Sequence, residues 1–148
     1  MNPRDLPAGA LARERIDALV ARFFRAFDNR NGAVPEVADV TGCFTARALI
    51  VRYAEGVADF YTPEEFALPR IELLTKGALL DFHEWETGAA TEIFGGMATR
   101  TSRYSKSGLF DGKDYAGSGT KCFQLVEQEG VWRICALAWT DDAQEQGS

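Results

Sequence analysis

Residues 62–86 read TPEEFALPRIELLTKGALLDFHEWE, and the hydrophobic period changes inside that stretch. Thr62 stands before Pro63, and Glu65 follows three residues later. This is a capping box with proline at the first helical position, so a helix begins at residue 63. Ile71 and Leu74 mark its buried side, and Gly77 stops it near Lys76. Pro69 predicts a kink or a division into two shorter segments. Beyond Gly77 the period falls from 3.6 to 2 and stays there. Leu79 to Glu86 is a strand, followed by a turn about Gly88. Thr91 to Lys106 is a longer strand with Gly95-Gly96 as a bulge, and Ser107 to Ala116 is a loop. Ser118 to Glu127 and Val131 to Asp141 form a hairpin across Glu129-Gly130.

Working back toward the start, Ile16, Leu19, Val20, Phe23, Phe24 and Phe27 form one apolar stripe on a helix over 11–28. A short second helix covers 35–41, with Pro35 in its first turn. Ala48 to Tyr53 and Val57 to Tyr61 are strands around Glu55-Gly56. Helices come first and antiparallel strands last. That order defines an α+β protein, a curved, mainly antiparallel sheet with helices on one face. No repeat or linker divides the 148 residues, so 1–148 reads as a single domain with frayed tails at 1–8 and 142–148.

Composition excludes several classes. Sixteen basic against 22 acidic residues give a net charge of −6, the wrong sign for tracking phosphates, so no nucleic acid is expected as a partner. No apolar run approaches about 18 residues, so no membrane span is expected. The opening residues lack the apolar core of a signal peptide, which points to a cytoplasmic protein. Cys43, Cys122 and Cys135 read as reduced thiols, although a Cys122–Cys135 bridge is conceivable on the last hairpin. One histidine and no paired cysteines exclude the usual zinc spacings, and no cofactor fingerprint is present. Gly117-Ser118-Gly119-Thr120-Lys121 lacks the order of a phosphate loop and leads into a strand.

The chain resembles the nuclear transport factor 2-like superfamily, which includes ketosteroid isomerases and SnoaL-type polyketide cyclases. The resemblance lies in Val20-Ala21-Arg22-Phe23-Phe24-Arg25-Ala26-Phe27-Asp28, in the capped middle helix, and in Phe123-Gln124-Leu125-Val126 followed by Gly130-Val131-Trp132-Arg133-Ile134. It covers nearly the whole chain. It implies a cone-shaped fold with the helices on the concave face of the sheet, a pocket within, and commonly a homodimer. It does not imply one activity. Carried over, the isomerase's hydroxyl donor falls near Phe23, its base near Arg52 and its protonated acid near Lys121. None of these supplies the family's group. A dehydratase-like pattern needs two histidines, and only His83 is present.

Alternation separates Asp81, His83 and Trp85 from Leu80, Phe82, Glu84 and Glu86. By similarity the second set faces the helices, with Glu84 deep and His83 and Trp85 outward. Ala98, Arg100, Ser102 and Tyr104 share the pocket side of the next strand, and Glu84 is the natural partner for Arg100. Two readings of Arg100 are open: a grip on an anionic or carbonyl group with Tyr104 donating alongside, or an internal ion pair. The expected pocket is lined by Phe23, Phe82, Arg100, Tyr104, Phe123 and Trp139, with Arg52, Glu84 and Lys121 as further binding candidates. Glu84, Tyr104 and His83 are the candidate acid–base groups. The final strand has Trp132, Ile134, Ala136 and Ala138 opposite Cys135, Leu137 and Trp139. With both faces apolar, the first set predicts a homodimer through the outer sheet face. The function classes left open are a binder of a small, partly apolar and anionic molecule, a lyase or isomerase, and a non-catalytic dimeric module.

Overall fold

A computed structural model describes residues 8–143. Helix α1 (Ala8–Arg25) and the short α2 (Val37–Thr41) precede strands β1 (Phe44–Ala54) and β2 (Val57–Tyr61). Helix α3 (Pro63–Thr75) leads into β3 (Leu79–Phe94), β4 (Met97–Phe110), β5 (Lys113–Gln128) and β6 (Val131–Asp141). The six strands form one open sheet in the order β2-β1-β6-β5-β4-β3. Every neighbouring pair is antiparallel except β1 with β6. The architecture is the expected α+β, with α3 set between the short β1–β2 pair and the four later strands.

The cap of α3 forms as its sequence dictates. Thr62 Oγ1 accepts from the Glu65 amide at 3.2 Å, and Glu65 accepts from the Thr62 amide at 2.9 Å. Pro69 does not divide the helix, which runs through it. The α1 stripe packs on the sheet as a phenylalanine cluster. Phe23 is fully buried, with its ring against Phe24, Phe27, Phe44, Phe66 and Phe123. Asn29, just beyond α1, ties three elements together. Its amide nitrogen donates to the Leu74 and Leu79 carbonyls at 3.0 and 2.7 Å, and its oxygen accepts from the Phe82 amide at 2.7 Å.

Four strand expectations need correction. There is no turn at Gly88: β3 continues to Phe94 and absorbs the irregularity as a register shift between Glu86 and Gly88. Gly95-Gly96 is the β3–β4 turn rather than a bulge, with Gly95 at φ +60. Residues 107–116 are not a loop but paired strand closing on Asp111-Gly112. Both residues of that turn have positive φ, 50 and 80, as a tight hairpin turn requires, and Asp-Gly is a strong signal for it. The fourth concerns the faces of β3 and β6. A second irregularity between Leu80 and His83, with Asp81 at φ 50, turns Leu79 and Phe82 inward and leaves Leu80 exposed. In β6, Gln124 pairs with Ala136 and Leu125 with Ile134, so Cys135 is an extra residue. The bulge reverses the alternation. Trp132 and Ile134 are therefore buried, like Leu137 and Trp139, and none of the four belongs to the outer face.

All three cysteines are free thiols, and burial raises the pKa of Cys43. The expected tails lie largely outside the described residues. Within them, Asp142 accepts from Arg103 at 2.5 Å and from Ser118 at 2.7 Å. No described helix is long and apolar enough to cross a membrane.

Candidate functional site

Between α1, α3 and the inner face of the sheet lies a cavity of about 350 Å³. Phe23, Phe27, Phe66, Leu74, Leu79, Phe82 and Trp139 supply its apolar wall. Its polar wall is Arg52, Arg70, Glu84, Lys106, Tyr115, Lys121 and Asp141. The three positions to which similarity assigns the isomerase's groups, Phe23, Arg52 and Lys121, all face this one space, as do Phe82, Glu84 and Trp139.

The polar groups are organised in pairs. Lys121 is nearly inaccessible, and its Nζ lies 2.8 Å from Glu84 Oε1. The approach is off the hydrogen-bonding direction, since that oxygen has no hydrogen-bond partner. Lys121 also lies over the Tyr104 ring, 4.0 Å from its centroid. Burial outweighs these attractions and lowers the Lys121 pKa. Lys106 is held differently: Nζ donates to Asp141 Oδ2 at 3.0 Å and sits over the Tyr115 ring. Burial works against its ammonium, but Asp141 and Tyr115 outweigh it and the pKa is raised.

Tyr104 faces inward but lies behind the cavity wall, and its hydroxyl donates to Asp141. Burial first, and the Asp141 carboxylate second, raise its pKa far above the ordinary phenol value. Gly119 makes this arrangement possible, because a Cβ there would overlap the Tyr104 hydroxyl and the Thr140 carbonyl. Asp141 is lowered overall: burial opposes ionisation, but Tyr104 and Lys106 prevail.

Arg70 and Arg52 complete the polar wall, and among the described residues neither forms a salt bridge. Arg70 lies across the rings of Phe66, Trp139 and Tyr61, at 4.4, 5.0 and 5.5 Å from their centroids. It donates to the Phe66 carbonyl at 3.0 Å, and burial lowers its pKa.

Arg100 is not on this wall. It lies in a separate groove of about 620 Å³ beside α1, lined also by Asp17, Asp28, His83, Trp85 and Glu86. Its partner is not Glu84. The hairpin sets Glu84 opposite Lys106 and Arg100 opposite Thr91, so Glu86 reaches it instead. Arg100 donates to Glu86 at 2.6 and 3.1 Å, to Asp17 at 2.5 Å and to Thr91 at 3.1 Å. Burial opposes its charge, but Glu86 and Asp17 raise its pKa. Phe123 is buried beneath Phe23 and Phe24 and reaches neither space. His83 stacks on Trp85 at 4.4 Å and faces the groove, not the cavity.

Lys106, Asp141, Arg70 and Tyr115 escaped the sequence reading. Lys106 follows Tyr104 by two residues and Asp141 follows Trp139 by two, so extending the alternation by one step reaches both. Tyr115 fell in the supposed loop, and Arg70 lies one turn after Phe66 on α3. No group of three or more histidine, cysteine, aspartate or glutamate residues suited to a metal occurs among the described residues.

No protein-family model matches this sequence, and no curated protein resembles it significantly. Solved structures do resemble it. An NTF2-like superfamily protein from Salmonella enterica superposes with a TM-score of 0.74 at 11% identity, covering 95% of this chain and 96% of the other. Hexachlorocyclohexane dehydrochlorinase LinA-type3 from Novosphingobium barchaimii gives 0.71 at 17%, covering 90% and 88%. A protein of unknown function from Mycobacterium tuberculosis gives 0.69 at 23%, covering 97% and 78%. The chain has the nuclear transport factor 2-like cone fold. At these identities the likeness is one of fold, and this fold carries enzymes as well as proteins of unknown function.

Proposed function

We propose that this chain is a cytoplasmic binding protein for a small carboxylate with an apolar body, held in the cavity between α1, α3 and the sheet. One observation carries the reading. In a chain of net charge −6, the cavity presents four cations, Arg52, Arg70, Lys106 and Lys121, against two carboxylates, Glu84 and Asp141. Those carboxylates are taken by Lys121 and Lys106, which leaves two arginines to meet an anion. Their planar donors suit a carboxylate, and the aromatic wall suits its hydrocarbon part. Arg70 is the anchor, because the rings beneath it hold its guanidinium in place. Free thiols at Cys43, Cys122 and Cys135 agree with a reducing compartment.

Titration calorimetry with 3-phenylpropionate tests this. Binding of one equivalent is expected, and Arg70→Met should weaken it by about tenfold or more, the loss of one charge-assisted contact. Equal affinity for wild type and R70M would refute the anchor.

A homodimer through the outer sheet face belongs to the same proposal, keeping Ala136 and Ala138 of the expected face but not the buried Trp132 and Ile134. Leu49, Tyr53 and Phe60 are exposed on β1 and β2. They continue across the register into Ala136, Ala138 and Cys122. A second copy would cover this apolar band by two-fold symmetry. Light scattering should give twice the 16.3 kDa chain mass, and Leu49→Arg with Phe60→Arg should halve it. A wild-type monomer at tens of micromolar would refute the dimer.

A further inference from the structure

We infer that Lys121 is a nucleophilic amine of the cavity, able to condense with the carbonyl group of an aldehyde or oxo-acid ligand as a Schiff base. The inference deepens the binding reading, since it rests on the same cavity, but the amine chemistry does not require a carboxylate on the ligand.

The cavity contains two lysines, and the structure treats them differently. Lys106 is clamped by a directed hydrogen bond to Asp141. Lys121 is held to Glu84 by a 2.8 Å salt bridge whose angle at that oxygen is not that of an aligned hydrogen bond. Lys106 is partly accessible, whereas Lys121 is 6% exposed at its side chain and faces the cavity. The charged groups around that space are Glu84 on β3, Lys106 on β4, Asp141 on β6, Arg52 on β1 and Arg70 on α3, with Tyr104 of β4 beneath. Three of the five charged groups are cations. Desolvation is the condition under which a lysine becomes a nucleophile at neutral pH; Glu84 and Asp141 hold the proton on Lys121 and Lys106 pushes it off, and burial outweighs the two carboxylates. The directions of the two shifts agree, Lys121 lowered and Lys106 raised.

The step balances within the groups present. Glu84 takes a proton from the Lys121 ammonium. The freed lone pair forms the C–N bond to the carbonyl carbon, the carbonyl π pair moves to oxygen, and an amine proton passes to that oxygen to give the carbinolamine. The C–O bond then breaks. The departing hydroxyl takes the proton that Glu84 held and leaves as water, which restores the Glu84 carboxylate and leaves a protonated imine on Lys121. No oxidant or reductant takes part.

The test uses 3-phenylpropanal with sodium cyanoborohydride, which reduces the imine by hydride addition and fixes it as a secondary amine. The chain has four lysines, so peptide mapping separates them. Lys76 and Lys113 are exposed and serve as internal controls. One adduct per chain is expected, on Lys121, formed about tenfold or more faster than on either control. Lys121→Arg keeps a cation beside Glu84 and should lose the adduct with its circular dichroism intact. Lys113→Arg, at an exposed site outside the cavity, should retain it. Comparable labelling of all four lysines, or labelling of Lys106 in place of Lys121, overturns the inference. The two readings fail separately. Binding of 3-phenylpropionate with no adduct at Lys121 refutes the amine and leaves the carboxylate site. An adduct at Lys121 without phenylpropionate binding supports the amine and refutes the carboxylate site.

Discussion

Replacing Arg100 by methionine separates a structural ion pair from a ligand anchor. The substitution keeps most of the side-chain volume and removes the guanidinium. It deletes two hydrogen bonds to Glu86, one to Asp17 and one to Thr91. Removing one member of a buried pair costs about 3–5 kcal/mol when the remaining charge stays dry. Here the remaining charges are partly wet. Asp17 is 56% exposed and rehydrates, while Glu86, at 22%, keeps its contact with Ser102. The expected loss is therefore below that range, about 2–3 kcal/mol, which for a chain of this length lowers the melting temperature by about 5–10 °C. Urea unfolding followed by tryptophan fluorescence gives the free energy, and calorimetry with 3-phenylpropionate gives binding. R100M should lose stability and keep its affinity at a temperature where it is folded. R100M combined with Glu86→Leu should recover part of the loss, because the stranded carboxylate is gone. A variant within about 0.5 kcal/mol of wild type that no longer binds would refute the assignment and restore Arg100 as the anchor.

Asn29→Ala strands the Leu74 and Leu79 carbonyls and the Phe82 amide, so a loss of about 2 kcal/mol is expected in urea unfolding; no change would mean water replaces the side chain freely. Gly119→Ala should push the Tyr104 hydroxyl off Asp141 and cost about 1–3 kcal/mol, and a second change, Tyr104→Phe, should relieve part of it. Arg103 and Ser118 hold the Asp142 carboxyl down to about 2. A folded pKa below the unfolded one stabilises above the unfolded value and is lost as pH falls through the folded one, so the contribution disappears between about pH 4 and pH 2. Carboxyl NMR should show Asp142 titrating near the bottom of that window, and Arg103→Gln should move it upward; an unchanged titration would remove Arg103 as the cause.

The local punctuation of this chain was legible residue by residue. Thr62, Pro63 and Glu65 define the start of α3 because a capping box satisfies its hydrogen bonds within four residues. The stripe from Ile16 to Phe27 defines a buried helix face, and the hairpin turns at Glu55-Gly56 and Glu129-Gly130 follow from local backbone preference. These signals carry the α+β order of elements. The site was legible only in part. Phe23, Arg52, Phe82, Glu84, Lys121 and Trp139 face one cavity, while the reading that joined Arg100 to them failed on register.

What only the tertiary structure decided is which face each strand residue shows and which charges meet. A period of two tolerates no insertion: one extra residue at Cys135 turns Trp132 and Ile134 inward, and the irregularity at Asp81 parts Leu80 from Phe82. Nothing local marks either bulge, because their cause lies elsewhere. Asn29 holds Phe82 from the end of α1, and β5 sets the spacing opposite Cys135. The pairing of Glu84 with Lys121, and of Arg100 with Glu86 and Asp17, joins residues up to 83 positions apart. Electrostatic energy depends on separation in space, and in a six-stranded sheet that separation is set by strand order and register, which alternation along one strand does not contain.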